Sequence, residues 1–377
     1  MKATEHLPTI LIRSGLPNAQ AALRRGHLTI GFIGGSITDP RPRYSWPEAV
    51  VAWLADRFST LRIRVENAAI GGTNSELACF RARRDLVDRG CDLVFVEYAV
   101  NDLPEPSVRR ARSREGLLRQ LLASRSTDVV LVHVFAQAML EAMRLGGHHP
   151  SISEFEDLAQ HYQLNSVFSG LYAYRQVCRG LLRAEEWLPD GIHPQARGSL
   201  AYAEPVISLL DDLLRRPATT RNSSPESLPA PRDPDCWHHF ALADPATFLL
   251  EGPWIERRWA HHTAIDLALE THSPEAALSA EVSGHTIALG WDEGLDAGRF
   301  SWRLDEGEWQ YYDRKPGAWL PETSLYRSLV LREGLSDSAH RVELRNGLWT
   351  REGRLTGRFS LAFLAGVSRH PVAQVSA

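Results

Sequence analysis

From residue 28 to about residue 215, short apolar runs of strand length alternate with longer stretches whose apolar positions recur at helical spacing. Residues 28–34, 61–67, 91–98 and 128–135 are nearly continuous in hydrophobic side chains, the pattern of parallel strands covered on both faces. Between them, residues 46–58 place Val50, Val51, Trp53 and Leu54 on one broad face, and residues 75–87 and 108–122 read as helices in the same way. Ser151 with Glu154, and Ser153 with Glu156, form overlapping capping boxes ahead of Leu158. A final apolar helix is expected from about residue 199 to 214. Strand–helix alternation of this kind predicts an α/β domain with a doubly wound, flavodoxin-like parallel sheet over residues 1–215.

The pattern breaks at residues 216–236, where five prolines and many small polar residues leave nothing apolar to bury, as in a linker. Beyond it, residues 237–377 carry strand-sized runs and eight of the eleven tryptophans. Residues 300–304 and 309–312 flank Asp305-Glu306-Gly307, read as a hairpin turn with the glycine at positive φ. Residues 324–331, 340–344 and 358–364 continue the series. Short strands at this spacing predict a β-sandwich or jelly roll.

Composition narrows the function. The chain has 377 residues, 44% hydrophobic and 23% charged, the balance of a folded globular protein. A formal charge of −4 offers no basic excess to grip a phosphate backbone, so nucleic acid is excluded as a partner. Cys79, Cys91, Cys178 and Cys236 form no CxxC pair, and the adjacent histidine pairs 148–149, 238–239 and 261–262 lack metal-ligand spacing. No metal or cofactor is expected, and His133, inside an apolar strand, is expected to be a core histidine. Neither a leader-like segment nor an 18-residue apolar run occurs, which points to a cytoplasmic chain without a membrane span.

Four segments carry candidate chemistry. Gly34-Gly35-Ser36-Ile37-Thr38 follows the first strand, where a serine on an open turn either presents its hydroxyl to a ligand or caps a helix. Asp190-Gly191-Ile192-His193 places a carboxylate and an imidazole three residues apart, either as a base with its orienting acid or as a structural turn. Asn67-Ala68-Ala69-Ile70-Gly71-Gly72-Thr73 and Ala99-Val100-Asn101-Asp102 end the second and third strands, where a glycine N–H and an asparagine amide can donate to an oxyanion.

Together these segments resemble the SGNH hydrolases, the GDSL-like esterase superfamily, over roughly half the chain. The resemblance implies Ser36 as nucleophile, Asp190 and His193 as its triad partners, and Ser36 N–H, Gly72 N–H and Asn101 as oxyanion donors, with Gly71 the alternative if the turn is shifted by one. Asp102 is expected to be a structural carboxylate beneath Asn101. Two positions depart from the family pattern: Gly35 replaces the aspartate before the serine, and Ala99 replaces the glycine of GxND. GGSIT with YAVND looks most like the branches that deacetylate carbohydrates. The expected substrate is therefore an O-acetyl ester on an oligosaccharide, polysaccharide or small molecule. A lipid or thioester hydrolase, and an acyltransferase using the same triad, are the alternatives.

Overall fold

A computed structural model describes residues 4–41, 43–217, 227–258, 262–294, 296–312, 324–351 and 354–371. These form two compact units, Met1–Asp233 and Pro234–Ala377.

The first unit is built on a six-stranded sheet. Its strands are β1 (Ile10–Leu11), β2 (His27–Gly34), β3 (Arg62–Asn67), β4 (Leu93–Glu97), β5 (Asp128–Val132) and β6 (Asn165–Val167), in the order β1-β6-β5-β4-β2-β3. Strands β2 to β6 are parallel and β1 pairs antiparallel with β6. The four strands expected from apolar runs are β2 to β5, and their order is that of a doubly wound sheet whose direction of winding reverses between β2 and β4. A crevice at the carboxyl ends of these two strands follows from that reversal.

The continuous apolar runs serve two cores at once. On β4, Leu93 and Phe95 pack with Trp46, Val50 and Leu54 of helix Trp46–Arg57 and with Leu209 and Leu210 of helix Ala196–Arg215. The alternate residues, Val94 and Val96, pack with Leu117 and Leu118 of helix Ser107–Ala123 and with Phe155 of helix Pro150–Tyr162. Edge strand β3 is covered less fully, and its Val65 is exposed. Below the crevice Phe32, Phe95 and Trp46 form a three-ring cluster with centroids 5.4–5.9 Å apart.

Several local expectations need correcting. The stretch 75–87 is α-helical only over Ser75–Ala82 and then widens into a π-helical turn, Arg83–Val87. Neither Ser151 nor Ser153 caps its helix. The N-cap is His149, whose Nδ1 accepts from Ser151 N–H at 3.2 Å, while the Ser151 hydroxyl donates to the Ala99 carbonyl. Of the expected linker, residues 218–226 lie outside the described residues, whereas its later part is bound to the first unit. Buried Glu115 accepts from the N–H groups of Arg232 and Asp233 at 2.7 and 3.1 Å, and Arg119 donates to the Pro229 carbonyl.

Among the described residues, the second unit holds two large antiparallel sheets and a two-stranded one, Trp349–Arg351 with Arg354–Thr356. One large sheet contains Leu267–Thr271, Phe359–Ser368, Thr286–Asp292 and Tyr326–Arg332; the other contains Ala277–Ser283, Ala339–Gly347 and Arg299–Leu304. Leu269, Leu289, Leu361 and Leu364 of the first meet Leu278, Val282, Phe300 and Val342 of the second in one core, the β-sandwich anticipated from strand spacing. The hairpin at 305–307 is present, but the positive φ angles belong to Asp305 (48°) and Glu306 (60°), not to Gly307. Asp305 is held in this conformation by its carboxylate, which accepts from Arg341 N–H at 2.9 Å and contacts His340 Nδ1 at 2.6 Å. Of the tryptophans grouped in this half, Trp259 and Trp319 lie outside the described residues.

Candidate active site

The turn after β2 is closed by two backbone hydrogen bonds, Thr38 N–H and Asp39 N–H both donating to the Gly35 carbonyl. It lifts Ser36 into the crevice beside β4. Two glycines are needed here by contact. A Cβ on Gly34 would lie 2.8 Å from the Glu97 carbonyl oxygen, and one on Gly35 would lie 2.0 Å from Asn101 Oδ1. The nucleophile candidate and the asparagine candidate therefore interlock through the bare backbone of residue 35.

The loop carrying Asp190 and His193, just before helix Ala196–Arg215, reaches the same point. Gly191 takes φ 83°, and its carbonyl accepts from Gln137 N–H just after β5. Ser36 Oγ lies 2.7 Å from His193 Nε2, and His193 Nδ1 lies 2.7 Å from Asp190 Oδ2. Asp190 Oδ1 also accepts from the backbone N–H groups of Ile192 and His193. Burial opposes ionisation of this carboxyl, but the hydrogen bonds from His193 and Ile192 outweigh it and bring its pKa down to about 2. A carboxylate that stays ionised fixes the tautomer of its imidazole and stabilises the imidazolium once it forms.

The second-strand turn is tied directly to the nucleophile turn. Ile70 N–H donates to the Gly34 carbonyl, and Asn67 Nδ2 to the Thr38 carbonyl. Gly71 N–H donates to Asp39 Oδ2 at 2.9 Å, so of the two glycines this one is committed to a carboxylate. Gly72 follows at φ 73°. Asn101 lies in the turn after β4, followed by Asp102. Asp102 is fully buried and bonded to Ser75 N–H and Arg114 Nε, while Arg114 continues to the Ser151 carbonyl and hydroxyl. His133 is likewise buried, with Nε2 2.7 Å from Glu156 Oε1.

Sequence reasoning passed over three residues at this site. Asp39 binds Arg41 through three side-chain contacts of 2.5–3.1 Å as well as Gly71. Burial works against the Asp39 charge, but Arg41 holds its pKa below the ordinary value. Glu97, at the end of β4, accepts from the Thr38 hydroxyl at 3.0 Å, and that hydroxyl accepts from Trp46 Nε1 at 3.1 Å. Burial raises the Glu97 pKa to about 7. The acid directly after GGSIT was the one available signal for Asp39; Glu97 was hidden inside an apolar strand. Among the described residues no group of three or more His, Cys, Asp or Glu side chains could hold a metal ion, and no helix is long and apolar enough to cross a membrane.

Residues 32–201 match the model of the GDSL-like lipase/acylhydrolase family. No curated protein matches the chain. Among solved structures, a two-domain esterase active on acetylated mannans is similar at 23% identity and a TM-score of 0.80, covering 97% of this chain and 98% of that one. The same esterase co-crystallised with mannopentaose matches at 22% identity, also with a TM-score of 0.80 and coverages of 97% and 98%. An acetylxylan esterase from Geobacillus stearothermophilus matches 52% of this chain and 97% of its own at 21% identity and a TM-score of 0.40.

Proposed function

We propose, from the premise that residues 32–201 are a GDSL-like lipase/acylhydrolase domain and the protein a serine carboxylic ester hydrolase, that it removes O-acetyl groups from carbohydrate and that Ser36, His193 and Asp190 do so. The observation that carries the assignment of residues is the continuous relay of two 2.7 Å contacts from Ser36 Oγ through His193 to Asp190. In this reading Ser36 Oγ attacks the ester carbonyl carbon as His193 Nε2 takes its proton. The carbonyl π pair moves onto oxygen, and the oxyanion is held by Ser36 N–H, Gly72 N–H and the Asn101 amide. Collapse expels the alcohol oxygen, which takes the proton back from His193, and leaves an acyl-enzyme. Water then attacks that ester by the same route in reverse and frees acetate.

The carbohydrate substrate is supported by the likeness, along nearly the whole of both chains, to an esterase active on acetylated mannans. Hydrolysis of acetyl and octanoyl p-nitrophenyl esters, run beside acetate release from acetylated oligosaccharides, tests it. Acetyl esters should be cleaved much faster than octanoyl esters, and acetate should appear from the saccharides. A kcat/KM that climbs with acyl length would favour a lipid substrate instead. A serine-directed phosphonate should label Ser36 in the wild type and fail on Ser36→Ala.

A further inference from the structure

A pocket of about 560 Å³ opens beside the nucleophile candidate, within the ~300–1,000 Å³ of small-molecule sites. Its lining includes Ser36, His193 and Pro194 together with Asp39, Arg41 and Tyr44. Neither Gly72 nor Asn101 belongs to its lining. That asymmetry orients an ester. With its carbonyl oxygen directed to Gly72 and Asn101, its alcohol oxygen has to sit within reach of His193 Nε2, which returns the proton to it. The pocket on the His193 side is therefore where the alcohol half lies.

The wall of this pocket has a particular chemistry. Arg41 is 70% exposed yet fixed, because its fork is anchored on Asp39, which is only 5% exposed. The pair cancels its own charge, so it presents directed N–H donors with no net pull on an anion. Tyr44 stands next to it with its side chain half exposed. A pyranose ring has the matching features: a face of axial C–H bonds for the electron-rich side of an aromatic ring, and a rim of hydroxyls for N–H donors. An anionic headgroup would call for uncompensated positive charge, and a long alkyl alcohol for an apolar trough.

We infer that Arg41 and Tyr44 form the saccharide-holding wall of the leaving-group pocket, with Tyr44 discriminating sugar esters from esters of small alcohols. The inference rests on the carbohydrate reading above. Its test compares kcat/KM on acetylated mannopentaose with kcat/KM on p-nitrophenyl acetate, as a ratio, in wild type, Tyr44→Ala, Tyr44→Phe and Arg41→Lys. The ratio should fall about tenfold in Tyr44→Ala and return in Tyr44→Phe, which keeps the ring. It should fall about threefold in Arg41→Lys, which keeps the charge but loses the fork. An unchanged ratio in Tyr44→Ala, with the wild type active on both substrates, overturns the wall alone. An unchanged ratio confined to Arg41→Lys removes Arg41 from it. A wild type that cleaves p-nitrophenyl acetate but not the acetylated saccharide overturns the carbohydrate reading and this inference together.

Discussion

Asp190 and Asp102 lie in two of the four candidate segments and are held by the same kinds of partner. Each carboxylate accepts backbone N–H bonds and faces one cationic or protonatable side chain, at 2.7 Å in both cases. Their surroundings differ completely. Asp190 and His193 are 55% and 49% exposed, whereas Asp102 and Arg114 are both at 0%. A solvated pair can gain and lose a proton at little cost, which suits a base that cycles. A dry pair cannot change its charge without leaving its partner stranded, which suits a fixed support. In the proposed mechanism, hydration thus separates moving protons from fixed position, with one residue type used for both.

Substitution should expose that division. Asp190→Asn should lower kcat by three to four orders of magnitude, roughly, with only a small change in Tm, because the loss falls on the imidazole's tautomer and cation. A fall in Tm that accounts for the lost activity would place Asp190 with the structural carboxylates. Asp102→Ala should do the reverse. It strands the buried Arg114 guanidinium, costing about 3–5 kcal/mol, seen as a Tm lower by roughly 10 °C. A stable Asp102→Ala protein with impaired turnover would erase the contrast.

Asn101 directly precedes Asp102 in sequence and packs against Gly35. Asn101→Ala should lower kcat by roughly 10²–10³ with a smaller effect on KM. A change confined to KM would make it a substrate contact. The smallest effect concerns Glu97, a third carboxyl at this site, dry like Asp102 but paired only with neutral donors. Its pKa, raised by burial to about 7, exceeds the ordinary 4.5. Between those values the folded chain keeps a proton that the unfolded chain has lost, so stability falls as pH rises through that window. At about 1.36 kcal/mol per pH unit, the loss is about 3 kcal/mol by pH 7. Denaturant midpoints at pH 5 and pH 8 should show this decline in wild type and a flatter profile in Glu97→Gln. Parallel profiles would rule out Glu97 as its source.

The central strands and the order of the four site segments were legible because each rests on a local rule. A doubly covered strand must be apolar throughout, and a ligand-facing turn must follow it. What escaped the sequence depends on distant partners. β1 has two residues and forms only because β6 lies beside it. Ser151 has the sequence of a cap, yet Arg114 and the Ala99 carbonyl claim its hydroxyl. The Pro-rich stretch reads as a linker by composition, but Glu115, 117 residues away, fastens its end to the first unit. The Gly71 N–H is likewise taken by a distant partner, the Asp39 carboxylate 32 residues away.

The bare backbone at residue 35 has an evolutionary consequence. Any side chain there would enter the space held by the Asn101 amide, starting 2.0 Å from its oxygen. Residues 35 and 101, far apart in sequence, cannot then be exchanged independently: their substitutions must be non-additive. Restoring the aspartate that the related GDS motif carries before its serine would, in this chain, displace the amide assigned to the oxyanion. An aspartate fits at residue 35 only where the Asn101 side chain moves aside.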